Sequence, residues 1–131
     1  MEKHDQKLLF LRNIYIRLYE ACSIYDGKND LIRDCVIYRF KVTYELCHKT
    51  LHEFMKHMGT EPEGSFPRTI FKKAYANGII ADDRLWIRLM EDRNGTSHIY
   101  SEKLADAIAA RIKNEYLPAV GDMIRKIDEL K

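Results

Sequence analysis

The chain has 131 residues, the length of one domain, which on folding buries roughly two thirds of the surface its unfolded form exposes. Formal net charge is +2, and the 32% of residues that are charged mix both signs. That excludes a broad field drawing the protein to nucleic acid or an anionic membrane, so any recognition of a polyanion has to be local. Apolar residues make up 46%, while six glycines and three prolines leave few interruptions; long helices around one core, residues 1–131 without a linker, are expected.

The opening MEKHDQKLLF lacks a cationic segment followed by an apolar run and a small-residue cleavage site. No apolar stretch approaches the roughly 18 residues of a membrane span, so a cytoplasmic, soluble protein without membrane association is expected. Cys22, Cys35 and Cys47 form no C-x-x-C pair, and each falls on an apolar helical face, which suits packed, reduced thiols.

In chain order, Leu8, Leu11, Tyr15, Leu18, Cys22 and Tyr25 alternate three and four apart and predict a helix over 5–25 with one apolar seam. DGKND ends it at Gly27 and offers Asn29 or Asp30 as the next cap. A second helix is expected over about 31–58, with two apolar stripes. Leu31, Cys35, Tyr38, Val42 and Leu46 form one, and Phe40, Tyr44, Cys47, Leu51, Phe54 and Met58 the other; both are expected to be covered.

GTEPEGSFP reads as a loop, and Pro67 opens a short helix closed by Asn77-Gly78. Asp82 or Asp83 caps a fourth helix carrying Leu85, Trp86, Leu89 and Met90, expected to stop at Asn94-Gly95. Ser101 caps the last helix, whose stripe runs from Leu104 through Ile108, Ile112, Tyr116, Val120, Met123 and Ile127 to Leu130. Pro118 is expected to bend it without ending it. The pattern predicts an all-α fold: an antiparallel up-and-down four-helix bundle with an additional short helix.

The segment RNGTSHIYSE, residues 93–102, carries more than turn chemistry. At about 100° per residue, Arg93 returns to the face of Trp86 and so extends the buried side of its helix, where a guanidinium needs a partner. Gly95 is expected to let the chain reverse so that His98 approaches Arg93. A histidine that moves protons beside an arginine that holds phosphate supplies two parts of RNA cleavage by a 2′-hydroxyl. A second acid or base would come from a two-fold dimer with two copies of the loop in one cleft. For a lone arginine in a last turn, neutralisation of helix-end carbonyls is a sufficient role.

The run Arg93, His98, Tyr100 resembles the R-x4-H-x-Y motif of HEPN domains, the higher eukaryote and prokaryote nucleotide-binding helical domains. Together LWIRLMEDRNGTSHIY, RFKVTYELCHKTL and AYANGII resemble the nucleotidyltransferase substrate-binding subunits of bacteria and archaea. The resemblance implies a usually dimeric bundle encoded beside a minimal nucleotidyltransferase. It also implies either of two roles: a metal-independent ribonuclease toxin whose partner adds AMP to the motif tyrosine, or a non-catalytic subunit binding the partner's nucleotide or other substrate. On it, Arg93 and His98 are the catalytic pair, Asn94 orients them, Tyr100 accepts the adenylate, and no cofactor is needed.

The family commonly reads R-F-E and then E-L-x-W-K, whereas this chain has Arg39-Phe40-Lys41 and Glu45-Leu46-Cys47-His48-Lys49. Lys41 reverses a charge and His48 replaces a tryptophan. Glu45 and Lys49 are retained as supporting candidates, although an i,i+4 ion pair accounts for them equally well.

His52, Glu53 and His57 miss the H-E-x-x-H spacing of zinc proteases. His48 and His52, at i,i+4, lack a third ligand and are expected to face solvent, so no metal site is expected. No glycine-rich phosphate loop occurs, so the chain is not expected to be the nucleotidyltransferase itself; the resemblance implies that it is that enzyme's partner. A helical scaffold that assembles only through apolar faces is the remaining alternative.

Overall fold

The structure, a computed structural model, describes residues 2–131. Helix α1, Lys3–Ile24, buries Leu8, Leu11, Leu18 and Cys22 on one side, the seam its spacing implies. In the following turn the Asp26 carboxylate accepts from the backbone N–H of Lys28 and Asn29, and Gly27 takes a positive φ of 85°, which a side chain would oppose. Helix α2, Asp30–His57, starts where Asn29 accepts from the Ile32 N–H, satisfying one of the unpaired first-turn donors.

Helix α3, Pro67–Ala76, begins on its proline and buries Ile70, Phe71 and Ala74. Helix α4, Asp83–Gly95, is capped by Asp82, whose side chain accepts from the Leu85 N–H, and a 3-10 turn, Thr96–His98, extends it. Ser101 caps α5, Glu102–Arg111, in the same way. A π turn over Ile112–Tyr116 leads into α6, Leu117–Leu130.

That π turn is how the helical run accommodates Pro118. The Leu117 N–H reaches back to the Ile112 carbonyl, one residue further than an α-helical bond, so the ladder widens just before the residue that lacks a donor. No strand occurs among the described residues, and none of their helices is long and apolar enough to cross a membrane.

The helices form an up-and-down bundle. Helix α1 packs chiefly on α2, α3 bridges α2 and α4, α5 lies on α2, and α6 closes against α1. The core runs through Phe40, Phe54, Phe71, Trp86 and Tyr116, all essentially without exposure. Tyr44, Phe71 and Trp86 form a tilted aromatic chain from α2 through α3 to α4, with centroids 6.1 and 5.2 Å apart; such pairs add about 0.5–1.5 kcal/mol beyond burial. Cys22 and Cys47 are packed thiols, and burial pushes the pKa of both upward.

Polar groups fix the helix ends. The Arg33 side chain is 7% exposed and meets Asp34, Glu102 and Asp106, pinning the start of α2 to the start of α5. On the other side Asp92 of α4 accepts two bonds from Arg111, at 2.7 and 3.0 Å, and a third from the hydroxyl of buried Tyr116.

One expectation fails here. Of the two stripes on α2, the one through Phe40, Tyr44, Cys47, Leu51 and Phe54 is buried, although Met58 at its end is exposed, while Leu31 and Tyr38 of the other are 78% and 66% exposed. Cys35, Val42 and Leu46 are only half-buried. The bundle is too thin to cover two sides of α2, so its outer side remains open.

Candidate functional site

Arg93 occupies the last turn of α4, on the Trp86 face. Its side chain is 29% exposed, and Nη2 donates to Glu45 Oε1 at 2.9 Å. The guanidinium carbon lies 5.5 Å from the centroid of Tyr44, within cation–π range. Nε is buried and, among the described residues, has no hydrogen-bond partner, an unsatisfied donor beside the Glu45 contact.

Glu45 does not pair with Lys49. It turns to Arg93 and to His48, whose Nε2 lies 3.5 Å from Oε2, while Lys49 is exposed and forms no ion pair among the described residues. The half-buried guanidinium is the stronger partner, because its charge cannot be fully hydrated.

His48, expected in solvent, has a side chain only 14% exposed. Burial pushes its pKa down, the charges of Lys49 and Arg93 add to this, and Glu45 opposes it. Tyr44, pushed up to about 12 by burial and then by Glu45, stays a neutral phenol beneath Arg93.

The loop differs from expectation as well. Gly95 is helical, with φ −72°, and provides no reversal. The Thr96 hydroxyl donates to the Arg93 carbonyl at 2.6 Å, closing the α4 end without a left-handed residue. The chain leaves the helix only at Ile99 and extends through Ser101. The Asn94 side chain is exposed and makes no hydrogen bond among the described residues.

His98 is exposed, and its Nδ1 is 3.3 Å from the Tyr100 hydroxyl. With the phenol donating, the ring proton sits on Nε2. Tyr100 is 86% exposed. The structure therefore joins the motif residues as two pairs, Arg93 with Glu45 and His98 with Tyr100. Among the described residues no hydrogen bond links Arg93 to His98.

A cavity of about 480 Å³ adjoins Tyr100 and is lined by Arg33, Tyr38, Lys41, Ile99 and Glu102 among others. The charge-reversed Lys41 thus lies on the same cavity as the motif tyrosine. A larger groove of about 660 Å³, along Ile79, Trp86, Pro118 and Met123, contains none of the motif residues.

Two contributors were not singled out from the sequence. Tyr44 was assigned only to the core, although its spacing of one from Glu45 placed it at the same level of α2. Asp92 precedes Arg93, and an acid adjoining a buried helical face is the available signal that it needs a partner.

The fold has counterparts among solved structures. A Haemophilus influenzae protein described as having the fold of a substrate-binding domain of a nucleotidyltransferase superposes with TM-score 0.77 at 22% identity, over 92% of this chain and 98% of that one. A Thermus thermophilus protein matches with TM-score 0.67 and 25% identity, over 97% of each chain. The tri-AMPylated Shewanella oneidensis HEPN toxin, in complex with MNT antitoxin, matches with TM-score 0.76 and 17% identity, over 98% of this chain and 99% of that one. No curated protein matches the chain. The sequence profile described as nucleotidyltransferase substrate-binding protein-like spans residues 6–129. The chain, a helical bundle with Arg93, His98 and Tyr100 at the end of α4, belongs to that nucleotidyltransferase substrate-binding family.

Proposed function

We propose that the protein is a toxin-type, metal-independent endoribonuclease that works beside a separate minimal nucleotidyltransferase, and that the partner silences it by adding AMP to Tyr100. The observation that carries this reading is the hydrogen bond between His98 and the hydroxyl of Tyr100, a residue that is 86% exposed. The hydroxyl is open to a second enzyme, and a phosphodiester formed on it would set bulk and negative charge against the proton-transferring ring.

In this account Arg93 binds the scissile phosphate and stabilises the charge developing on it, exchanging Glu45 for a phosphate oxygen; the partial exposure of its side chain supports that role. His98 takes or gives the proton of the 2′-hydroxyl or leaving oxygen, and Asn94 helps to orient the pair. Lys49, exposed one helical turn from Glu45, supports RNA binding as a free cation. A two-fold homodimer supplies the second acid or base, and the open stripe of α2 with Leu31 and Tyr38, which adjoins the Tyr100 cavity, is an apolar surface available for it.

The pairing of Arg93 with Glu45 favours a second reading, a non-catalytic subunit that holds a nucleotide or other substrate for the nucleotidyltransferase. Incubation with the partner and ATP, followed by intact mass and an RNA cleavage assay, tests the proposal. Adenylate on the wild type, none on Tyr100→Phe, and loss of cleavage on modification are expected. Cleavage that persists after full modification of Tyr100 would exclude the silencing mechanism.

A further inference from the structure

We propose that Glu2, His4 and His57 form a binding site for a first-row divalent cation, zinc being the best suited, at the open end of the α1–α2 hairpin. One ligand atom from each residue lies within 4.8 Å of the other two. The ligands come from two elements: Glu2 and His4 from the start of α1, and His57 from the last residue of α2. Two imidazoles and a carboxylate are a donor set that zinc and its neighbours in the series accept, with a fourth position left to water.

The two rings stack with centroids 4.1 Å apart at 25°, and His4 also packs against Phe54 at 5.8 Å. Apolar stacking alone would explain the contact. It does not explain why a buried histidine, 6% exposed, has one polar neighbour in ion-pair range, the Asp5 carboxylate 3.5 Å from its Nε2. Asp5 is itself held by Lys131 at 3.1 Å. Packing against Phe54 and His57, with Asp5 in ion-pair range of Nε2, holds the His4 ring in place.

His4 is thus the fixed member of the site. His57 and Glu2 are exposed, and rotation about the broad χ2 torsion of His57 brings its nitrogen out of the stack toward a shared ion. Zinc–nitrogen bonds of about 2.0–2.1 Å require the ligand atoms to draw closer than they now stand, and the exposure of His57 and Glu2 leaves room for it. The site is twelve residues along α2 from Glu45, roughly 18 Å at the helical rise, so it is separate from the Arg93 and His98 loop and independent of the function proposed for that loop.

The test uses the full chain with any affinity tag removed, stripped with EDTA and dialysed, then titrated with zinc chloride in a calorimeter while melting temperature is followed. One zinc per chain and a raised melting temperature are expected for the wild type. His57→Ala should lose the binding, and Glu2→Gln should weaken it at least about tenfold; both residues are exposed, so the fold is retained, as circular dichroism will check. His52→Ala should bind as the wild type does. No zinc uptake by the wild type, undiminished uptake by His57→Ala, or loss of uptake in His52→Ala would each overturn the assignment.

Discussion

Replacing Asp92 with alanine removes the acceptor of three hydrogen bonds, two from Arg111 and one from Tyr116. Tyr116 is fully buried and Arg88 can only donate to its oxygen, so the hydroxyl proton is left without an acceptor, at a cost of about 1–3 kcal/mol. The Arg111 side chain is 33% exposed and regains part of its hydration, which holds the loss of its bidentate contact to about 1 kcal/mol. The sum, about 2–4 kcal/mol, lowers the melting temperature of a domain this size by roughly 8–14 °C.

Urea denaturation of Asp92→Ala, Tyr116→Phe and the double variant measures these quantities. Tyr116→Phe alone should cost about 1 kcal/mol, and the double variant should lose less than the sum of the singles, because its phenylalanine leaves no orphaned hydroxyl. A loss under about 0.5 kcal/mol for Asp92→Ala, or strict additivity in the cycle, would refute the assignment of Asp92 as the anchor of the α4 end.

Because His48 prefers its neutral form when folded, with burial the largest cause, its contribution to stability is complete above the ordinary value of 6.5 and is lost as pH falls below it. Unfolding curves at several pH values should therefore show a smaller acid loss in His48→Gln, and equal slopes would contradict the burial. His98→Ala, at an exposed position, should change stability by no more than about 0.5 kcal/mol, and a cooperative loss of fold would mean that the ring is structural. The double change Leu31→Glu with Tyr38→Glu should convert a dimer to a monomer in light scattering while leaving circular dichroism intact; a persistent dimer would move the interface off the open stripe of α2.

The starts of α2, α4 and α5 were legible because each carries its own local signal. Asn29, Asp82 and Ser101 cap where their side chains suggest, since a cap depends on residues within one turn. The seam on α1 was legible as well, and so was the last stripe from Ile108 to Ile127, though its expected ends Leu104 and Leu130 are exposed. The number of neighbours around α2 was not, because an apolar stripe records only that a face avoids water, and Leu31 and Tyr38 fit a surface awaiting a partner as readily as a core.

The candidate site divides along the same line. Arg93 on the buried face follows from helical geometry, and the family resemblance marks its partner Glu45 as a supporting residue. The partner choice was not legible, because it depends on which half-buried charge faces it across the bundle, 48 residues away. Gly95 misled: glycine permits a left-handed turn without requiring one, and Thr96 closes the helix instead.

The central claim is that the loop from Arg93 to Tyr100 is a nuclease centre. The most direct measurement is cleavage of bulk tRNA in EDTA by the purified protein, with Tyr100 verified by intact mass to be unmodified and His98→Ala assayed in parallel. The account predicts cleavage by the wild type and a loss of about 10²–10⁴-fold in the variant, the share of rate that a positioned acid or base supplies. Equal cleavage by both proteins, or none by the unmodified wild type, would contradict it.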